Sequence, residues 1–285
     1  MKKIIITGAT GYLGFALIKH AAKQAEVVGL ARNPASIAND CNAIAADITN
    51  RSKLIEIIAA EKPDAIIHCA AVNPGGSADD MLAVNEHGSK HVAEAARRVD
   101  CRLVAVSSDT VFSGENAPYR DSASASPLAL NDYAVTKAKG ESSIAATLPA
   151  AAVVRTSLIY GLDRIDRGTE GFMQRLAAGE TLKLFTDVIR QPVHDAELSA
   201  ALTALALHHV GESGFINVAG NEALSRYEFG KRMLNYWNAD YNNQLEAVSG
   251  QGIDGLPMDV RLQLDRAAAL GLATSGVSQV LQKQV

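Results

Sequence analysis

The sequence predicts an α/β fold built on a doubly wound parallel sheet, with a small subdomain towards the C-terminus. Short runs of β-branched and aliphatic residues alternate with Ala- and Leu-rich stretches through the first 160 residues, as in repeated βαβ units. A glycine-rich turn from Gly8 to Gly14 joins the first strand to the first helix. Tyr133 and Lys137 lie four residues apart on a later helical stretch, and therefore on one face of it. This arrangement is of the Rossmann type.

The first 160 residues contain the predicted sheet. Continuous apolar runs such as Ile4 to Ile6 indicate strands that are buried on both faces of a parallel sheet. Strands are predicted at residues 3–7, 27–30, 42–46, 65–68, 102–107 and 151–156. Helices are predicted at residues 15–24, 52–60, 79–99 and 126–148.

The alternation weakens after Ser157. We predict a loop at 163–171, short strands at 182–185 and 215–218, and helices at 171–178, 195–208 and 225–237. Ser225 is the expected N-cap of the last helix, with Glu228 three residues on. The predicted organisation is a Rossmann domain at 1–160 and a mixed, substrate-binding region at 161–285. Some elements of the second region are expected to return to the sheet, at whose carboxyl edge ligands bind.

Composition restricts the class of protein. The 285 residues carry a formal net charge of −4 and are 48% hydrophobic, which indicates a globular chain without the basic face of a nucleic-acid-binding protein. The cysteines Cys41, Cys69 and Cys101 are widely spaced, so they suit neither a disulfide framework nor a metal site. No window approaches the roughly 18 apolar residues of a membrane helix. We therefore expect a cytoplasmic protein with no membrane partner and no metal.

The glycine-rich turn predicts a dinucleotide site. Gly8, Gly11 and Gly14 have the spacing GxxGxxG between a strand and a helix. Glycines allow the backbone to approach a pyrophosphate, and the helix N-terminus offers unpaired N–H groups to it. A tight turn with a purely structural role is the alternative.

The end of the second strand bears on the choice between NADP and NAD. An acidic residue there would bind the ribose hydroxyls of NAD, but Arg32 follows this strand and no acid does. Because a guanidinium pairs well with a phosphate, we predict NADPH, with NADH as the alternative. Asp47 is expected to accept from the adenine amino group, with Ile48 against the ring. A helix N-cap is the alternative for Asp47.

Ser108, Tyr133 and Lys137 form the predicted catalytic set. The hydroxyl of Ser108, at the end of the fifth strand, could hydrogen-bond a substrate carbonyl. Tyr133 is the expected proton donor, and the Lys137 ammonium is expected to lower its pKa from about 10. These roles are those of a reductase that takes hydride from a nicotinamide cofactor. For His68 we favour a structural role, and Arg190 is expected to contact a polar or anionic substrate.

Several motifs resemble those of the extended short-chain dehydrogenase/reductase family. The resemblance rests on the opening turn at residues 7–14, on residues 68–71, on Val84 with Asn85, and on the Ser108, Tyr133 and Lys137 set. Within that family, residues 107–114, 118–121 and 155–161 are similar to dTDP-4-dehydrorhamnose reductases. The chain departs from that subgroup at Ser108, where Thr is common, and at Leu256, where Arg usually precedes the proline.

The resemblance implies a cofactor site and a substrate site. The cofactor residues it implies are Gly8, Thr10, Gly11, Tyr12, Leu13, Gly14, Cys69, Ala70, Ala71, Asn85, Tyr133 and Lys137. The substrate residues it implies are Ser108, Asp109, Thr110 and Val111, to which we add Arg190. As in relatives, the helices at 79–99 and 126–148 could pair in a homodimer.

The expected activity is NADPH-dependent reduction of a nucleotide-linked 4-keto-6-deoxy sugar. An NAD-dependent sugar-nucleotide epimerase is the alternative enzyme. A 4,6-dehydratase fits less well, because Thr110 stands where that class carries a Glu after Asp109. An NADP-binding regulatory subunit, similar to the β-subunit of methionine adenosyltransferase, is the alternative of another class.

Overall fold

The computed structural model describes residues 1–37, 41–241 and 243–283. Its strands are β1 (Lys3–Thr7), β2 (Glu26–Ala31), β3 (Asn42–Ala45), β4 (Ala65–His68), β5 (Arg102–Ser108), β6 (Ala152–Thr156), β7 (Ile159–Tyr160), β8 (Leu182–Phe185), β9 (Ile189–Arg190), β10 (Val193–His194), β11 (Gly214–Asn217), β12 (Leu224–Ser225) and β13 (Leu245–Val248). Its α-helices are α1 (Tyr12–Ala21), α2 (Arg51–Glu61), α3 (Ala78–Met81), α4 (Ser89–Arg98), α5 (Asp132–Thr147), α6 (Arg167–Ala177), α7 (Asp195–Leu207), α8 (Arg226–Tyr236), α9 (Asp265–Ala269) and α10 (Val277–Gln282).

Seven of the described strands form one sheet in the order β11-β6-β5-β4-β1-β2-β3. Every neighbouring pair in it is parallel, which confirms the predicted doubly wound sheet. The chain builds outward from β1 through β2 to β3, and then returns to place β4 on the other side of β1. The carboxyl ends of β1 and β4 therefore flank the point where the strand order reverses, which is where ligands bind in such sheets.

The sheet is buried on both faces. Ile4 and Ile6 pack in one hydrophobic cluster with Leu17 of α1, whereas Ile5 packs in a second cluster with Leu54 of α2. Since successive side chains of a strand point to opposite faces, the continuous apolar run in β1 supplies both clusters. The C-terminal third of the chain contributes to the same core, because β11 pairs with β6 and α7 packs beside α1.

Short two-stranded ladders occupy the rest of the C-terminal region. β9 pairs antiparallel with β12, with Leu224 opposite Arg190 and Ser225 opposite Ile189. β7 pairs with β10, and β8 pairs with β13. The predicted N-cap at Ser225 is confirmed, because Ser225 and Glu228 form a capping box at the start of α8.

Some helix boundaries differ from the predictions. The helix predicted at 126–148 begins only at Asp132, because the Asn131 side chain accepts from the Ala134 N–H at 3.0 Å and caps it there. The prediction of a loop at 163–171 is wrong from Arg167 onward, because α6 begins there with Asp166 as its N-cap. The helix predicted at 79–99 is divided by a π-helical turn at Leu82–Gly88. Among the described helices, none is both long and apolar enough to cross a bilayer.

Candidate active site

The glycine-rich turn brings the end of β1 against the end of β4. Gly8 has a φ of +71°, and a Cβ on it would lie 2.7 Å from the backbone nitrogen of Ala70. A Cβ on Gly14 would lie 2.2 Å from the carbonyl oxygen of Gly8. Both positions therefore exclude side chains. The N-cap of α1 is Gly11, which has no side chain to cap the helix. The first N–H groups of α1 therefore face the turn, and this cradle fits the pyrophosphate of a dinucleotide.

The other predicted residues of this turn have distinct environments. Thr10 is exposed, whereas Leu13 packs in the core. The Tyr12 hydroxyl donates to the carbonyl oxygen of Arg164 at 2.6 Å, which ties the turn to the loop after β7. The guanidinium of Arg164 lies over the Tyr12 ring, 5.4 Å from its centroid, and over Phe15 at 5.0 Å. The segment before α6 is therefore held against the start of α1.

The residues predicted around the adenosine half lie at the ends of β2 and β3. Arg32 directly follows β2 and is exposed. Asp47 accepts from both the N–H and the hydroxyl of Thr49, each at 2.8 Å. The cap of α2 is Asn50, so the N-cap alternative for Asp47 is wrong. Ile48 is buried in the core.

Asn85 holds the loop that follows β4. Its side-chain oxygen accepts from the Val72 N–H at 2.8 Å, and its amide donates to the Val72 carbonyl at 3.0 Å and to Thr136 at 3.2 Å. Asn85 is 1% exposed, and these protein partners occupy its amide. The residue predicted to bind the cofactor thus supports the segment in which Cys69, Ala70 and Ala71 lie, all partly exposed after β4.

A chain of buried hydrogen bonds behind this loop involves His68. Its Nδ1 lies 2.7 Å from the Thr7 hydroxyl, and its Nε2 lies 2.9 Å from the Ser89 hydroxyl. Ser89 donates its proton to the carbonyl oxygen of Asn85, so His68 must donate from Nε2 and accept at Nδ1. Burial lowers the pKa of His68 to about 3, which keeps the ring neutral. These contacts fit the structural role that we favoured for His68.

Ser108 and Tyr133 meet at the carboxyl end of β5. The Ser108 oxygen accepts from the Thr110 N–H at 3.2 Å and lies 2.9 Å from the Thr110 hydroxyl. Tyr133, in the first turn of α5, lies close enough to Ser108 for the serine side chain to lower the pKa of the phenol. A serine and a phenol therefore converge where a carbonyl oxygen would need two donors.

The pKa of Tyr133 differs from expectation. It is raised, first because the phenol is desolvated and then because of the charge of Asp109, while the contact with Ser108 and the charge of Arg190 lower it. The lowering that we expected from Lys137 is therefore wrong, because the pKa is raised and desolvation is the largest cause. The phenol consequently stays protonated near neutral pH and holds the proton that a reduction needs.

Lys137 lies one helical turn after Tyr133 in α5, and its side chain reaches β5. Its side chain is buried, and Nζ donates to the carbonyl oxygen of Val106 at 2.7 Å. Desolvation lowers the pKa of Lys137 to about 8, although Glu141 and Cys69 act in the opposite direction. The ammonium is therefore charged at neutral pH and loses its charge within the mildly alkaline range.

An ion pair borders the Ser108 side of the site. The carboxylate of Asp109 is fully buried. It accepts one hydrogen bond from Nε of Arg190, at 2.7 Å, and another from a second guanidinium nitrogen of Arg190. Arg190 reaches it from β9, so the pair connects the sheet to the C-terminal region. Val111 is buried against Phe112 and Tyr119, so its side chain supports the site from within the core. Of the predicted substrate residues, Ser108 and Thr110 present hydroxyls at the strand end.

Comparison with known proteins adds to this geometry. A family model described as RmlD substrate binding domain matches residues 1–255. The chain belongs to the RmlD substrate binding domain family. The chain is also similar to dTDP-4-dehydrorhamnose reductase of Mycobacterium tuberculosis, with 33% identity over 255 residues, or 84% of this chain and 77% of the relative.

Two further relatives of this RmlD-family chain are informative. A crystal structure of Bacillus anthracis dTDP-4-dehydrorhamnose reductase in complex with NADP superposes with a TM-score of 0.81 at 26% identity, over 97% of this chain and 95% of that one. Methionine adenosyltransferase 2 subunit beta of Xenopus laevis is 28% identical, over 93% of this chain and 80% of the relative. The comparisons confirm the predicted family, the fold and the class of enzyme, an NAD(P)-dependent oxidoreductase.

Sequence reasoning gave no role to Arg226, which directly follows the β9–β12 ladder that contains Arg190. It is the first residue of α8, directly after the Ser225 cap, and it is half-buried. Burial lowers its pKa to about 10, with a further contribution from the like charge of Arg190. The only signal in the sequence was its position after a predicted cap, which by itself indicates no ligand.

Proposed function

We propose that this chain reduces the keto group of a nucleotide-linked 4-keto-6-deoxy sugar with NADPH, and that Tyr133 supplies the proton. The observation that carries the proposal is the convergence of the Tyr133 phenol and the Ser108 hydroxyl at the carboxyl end of β5. This strand end lies next to β4, which pairs with β1 and so stands beside the glycine cradle. The similarity to named reductases of dTDP-linked keto sugars supports the same substrate class.

Each of the three side chains has a separate task. NADPH, when bound, supplies the hydride. Ser108 donates a hydrogen bond to the substrate oxygen and polarises the carbonyl. Tyr133 transfers its proton to that oxygen as negative charge develops there. Lys137, held by the Val106 carbonyl, provides the positive charge that stabilises the resulting phenolate.

The preference for NADPH rests on Arg32. Its exposed guanidinium directly follows β2, at the position that in NAD-binding folds of this type carries an acid for the ribose hydroxyls. A guanidinium there attracts the additional phosphate of NADPH. NADH is the less favoured cofactor, because nothing in residues 30–33 provides the carboxylate that it uses.

A panel of carbonyl compounds tests the proposal directly. The panel contains dTDP-4-keto-6-deoxy sugars, the corresponding UDP sugars and simple ketones, and the loss of NADPH absorbance is followed. Stoichiometric NADPH consumption with a nucleotide-linked keto sugar, and much less with a simple ketone, is expected. Interconversion of sugar nucleotides without net cofactor consumption would instead identify an epimerase.

A regulatory subunit is the second candidate, and one observation favours it. The similarity to methionine adenosyltransferase 2 subunit beta extends over 93% of this chain. A binding subunit has no need of a proton donor, a polarising hydroxyl and a buried ammonium together, and the chain has all three. Co-purification with a stoichiometric partner, together with no turnover of any carbonyl in the panel, would favour this candidate.

A further inference from the structure

Arg226 lies beside the candidate active site, and no residue that the structure describes pairs with its charge. Its guanidinium forms neither a hydrogen bond nor an ion pair with any residue that the structure describes. Its backbone, in contrast, is fixed: the Arg226 N–H donates to the Val188 carbonyl at 3.0 Å, and Ser225 caps the helix that it begins. A half-buried, unpaired charge costs stability, so its position calls for a reason.

The β9–β12 ladder places Arg226 near Arg190, one of the predicted substrate residues. β12 pairs with β9, so Arg226 follows directly on the ladder that contains Arg190. Arg190, Asp109 and Asp166 all contribute to the electrostatic environment of Arg226. Asp109 follows Ser108 in the chain, which connects this charged group to the strand end where Tyr133 arrives.

The two acids in this group already have other partners. Asp109 is occupied by the fork of Arg190. Asp166 accepts from the N–H of Thr169 at 3.0 Å and from its hydroxyl at 2.6 Å, as the cap of α6. Within the described part of the chain, the guanidinium donors of Arg226 therefore remain unused. A guanidinium binds phosphate oxygens well in a bidentate manner.

We propose that Arg226 binds the diphosphate of the sugar-nucleotide substrate, as a substrate-binding residue that acts beside the Arg190–Asp109 pair. The proposal rests on the proposed function for the identity of the anion. Arg190 is largely neutralised by Asp109, so it orients the strand end and the wall of the site. Arg226 supplies the positive charge, and Asp166, at the start of α6, attracts it. Arg226 would thus set affinity for the nucleotide rather than the rate of proton transfer.

Calorimetry on the NADP-saturated protein tests this site without requiring turnover. The probes are thymidine diphosphate, uridine diphosphate and the nucleosides thymidine and uridine, which lack phosphate. Arg226→Gln is expected to weaken binding of the favoured diphosphate about 10- to 100-fold, because a charge-assisted hydrogen bond is lost, and to leave nucleoside binding unchanged. Arg226→Lys, which keeps the charge without the fork, is expected to have an intermediate affinity.

Arg232→Gln is the matched control. It lies on the same helix and is also half-buried, but its guanidinium is paired with Glu222 at 2.7 Å. The control is expected to bind both diphosphates like the wild type. In steady state, Arg226→Gln is expected to raise KM for a nucleotide-linked keto sugar by a similar factor while kcat changes less than about threefold.

The outcomes separate this inference from the proposed function. Equal diphosphate affinity in Arg226→Gln and wild type, or no diphosphate binding by the wild type, overturns the inference even if NADPH is consumed with a keto sugar. Weakened diphosphate binding in Arg226→Gln supports the inference even if no carbonyl in the panel is reduced, and in that case the proposed reductase activity alone fails.

Discussion

The ammonium of Lys137 donates a 2.7 Å hydrogen bond to the carbonyl oxygen of Val106. This contact joins α5 to β5, the two elements that contribute Tyr133 and Ser108. It holds the ammonium of Lys137 at Val106, two residues before the end of β5. The geometry of the proposed proton transfer therefore depends on a backbone carbonyl as well as on the three side chains.

The buried state of Lys137 predicts an alkaline loss of activity. Its pKa is lowered to about 8, so the side chain is charged below that pH and neutral above it. Since only the charged form stabilises the phenolate of Tyr133, kcat/KM for reduction is expected to be level below about pH 8. It is expected to fall about tenfold per pH unit above it. Initial rates between pH 6 and 10 measure this profile.

Lys137→Met provides the comparison for that profile. Methionine keeps much of the length of the chain and removes the charge, so activity is expected to fall and the alkaline limb to disappear. A limb of the same shape and midpoint in the variant would show that another group titrates. Cofactor binding by both proteins, measured at pH 7, distinguishes a lost charge from a lost site.

Arg32 is predicted to set the preference between the two cofactors. Arg32→Asp removes the partner of the additional phosphate and supplies an acceptor for ribose hydroxyls, so the ratio of kcat/KM for NADPH to that for NADH should fall by about tenfold or more. Arg98→Asp is the control, since Arg98 is exposed at the end of α4, away from the carboxyl edge. A ratio that does not change in Arg32→Asp would mean that Arg32 is only a solvated charge.

The buried pair of Arg155 and Glu141 is predicted to be important for stability. The two side chains are 0% and 2% exposed and share two hydrogen bonds, at 2.8 and 3.0 Å, between β6 and α5. Glu141→Ala leaves a buried guanidinium without its carboxylate, so the free energy of unfolding should fall by about 3–5 kcal/mol in urea titrations.

An ion pair on the surface serves as the comparison for the loss of stability expected from Glu141→Ala. Arg175 and Glu180 are about half exposed, and Glu180→Ala should change the free energy of unfolding by no more than about 1 kcal/mol. If Glu141→Ala were equally mild, the Arg155 charge would have to be satisfied by the Asp121 and Ala123 carbonyls that it also contacts.

The fold of the first half was predictable because its signals are local. β1 matches its predicted bounds, since a β-branched run and Gly8 define both ends. Helix starts were harder, because side-chain caps decide them: Asn131 and Asp166 each begin a helix at a place that periodicity alone did not indicate. The two-residue strands β9 and β12 were missed, since pairing between distant segments defines them and no local pattern does.

In the candidate site, too, the residues in local motifs were predictable and the contacts between distant residues were not. Ser108, Tyr133 and the glycine turn stand in motifs with fixed spacing, so the sequence could point to them. The pairing of Asp109 with Arg190 joins residues 81 positions apart, and the sequence contains no trace of it. The raised pKa of Tyr133 was also unpredictable, because it depends on how deeply the ring is buried.

The substitution Tyr133→Phe tests the central claim most directly. The phenylalanine ring still fills its place, so NADPH affinity should stay within about twofold of the wild type, as measured by fluorescence titration. Reduction of the best carbonyl substrate should fall about 1,000-fold or more, because the proton donor is lost. Turnover within tenfold of the wild type, or loss of NADPH binding in the variant, would contradict the role that we assign to Tyr133.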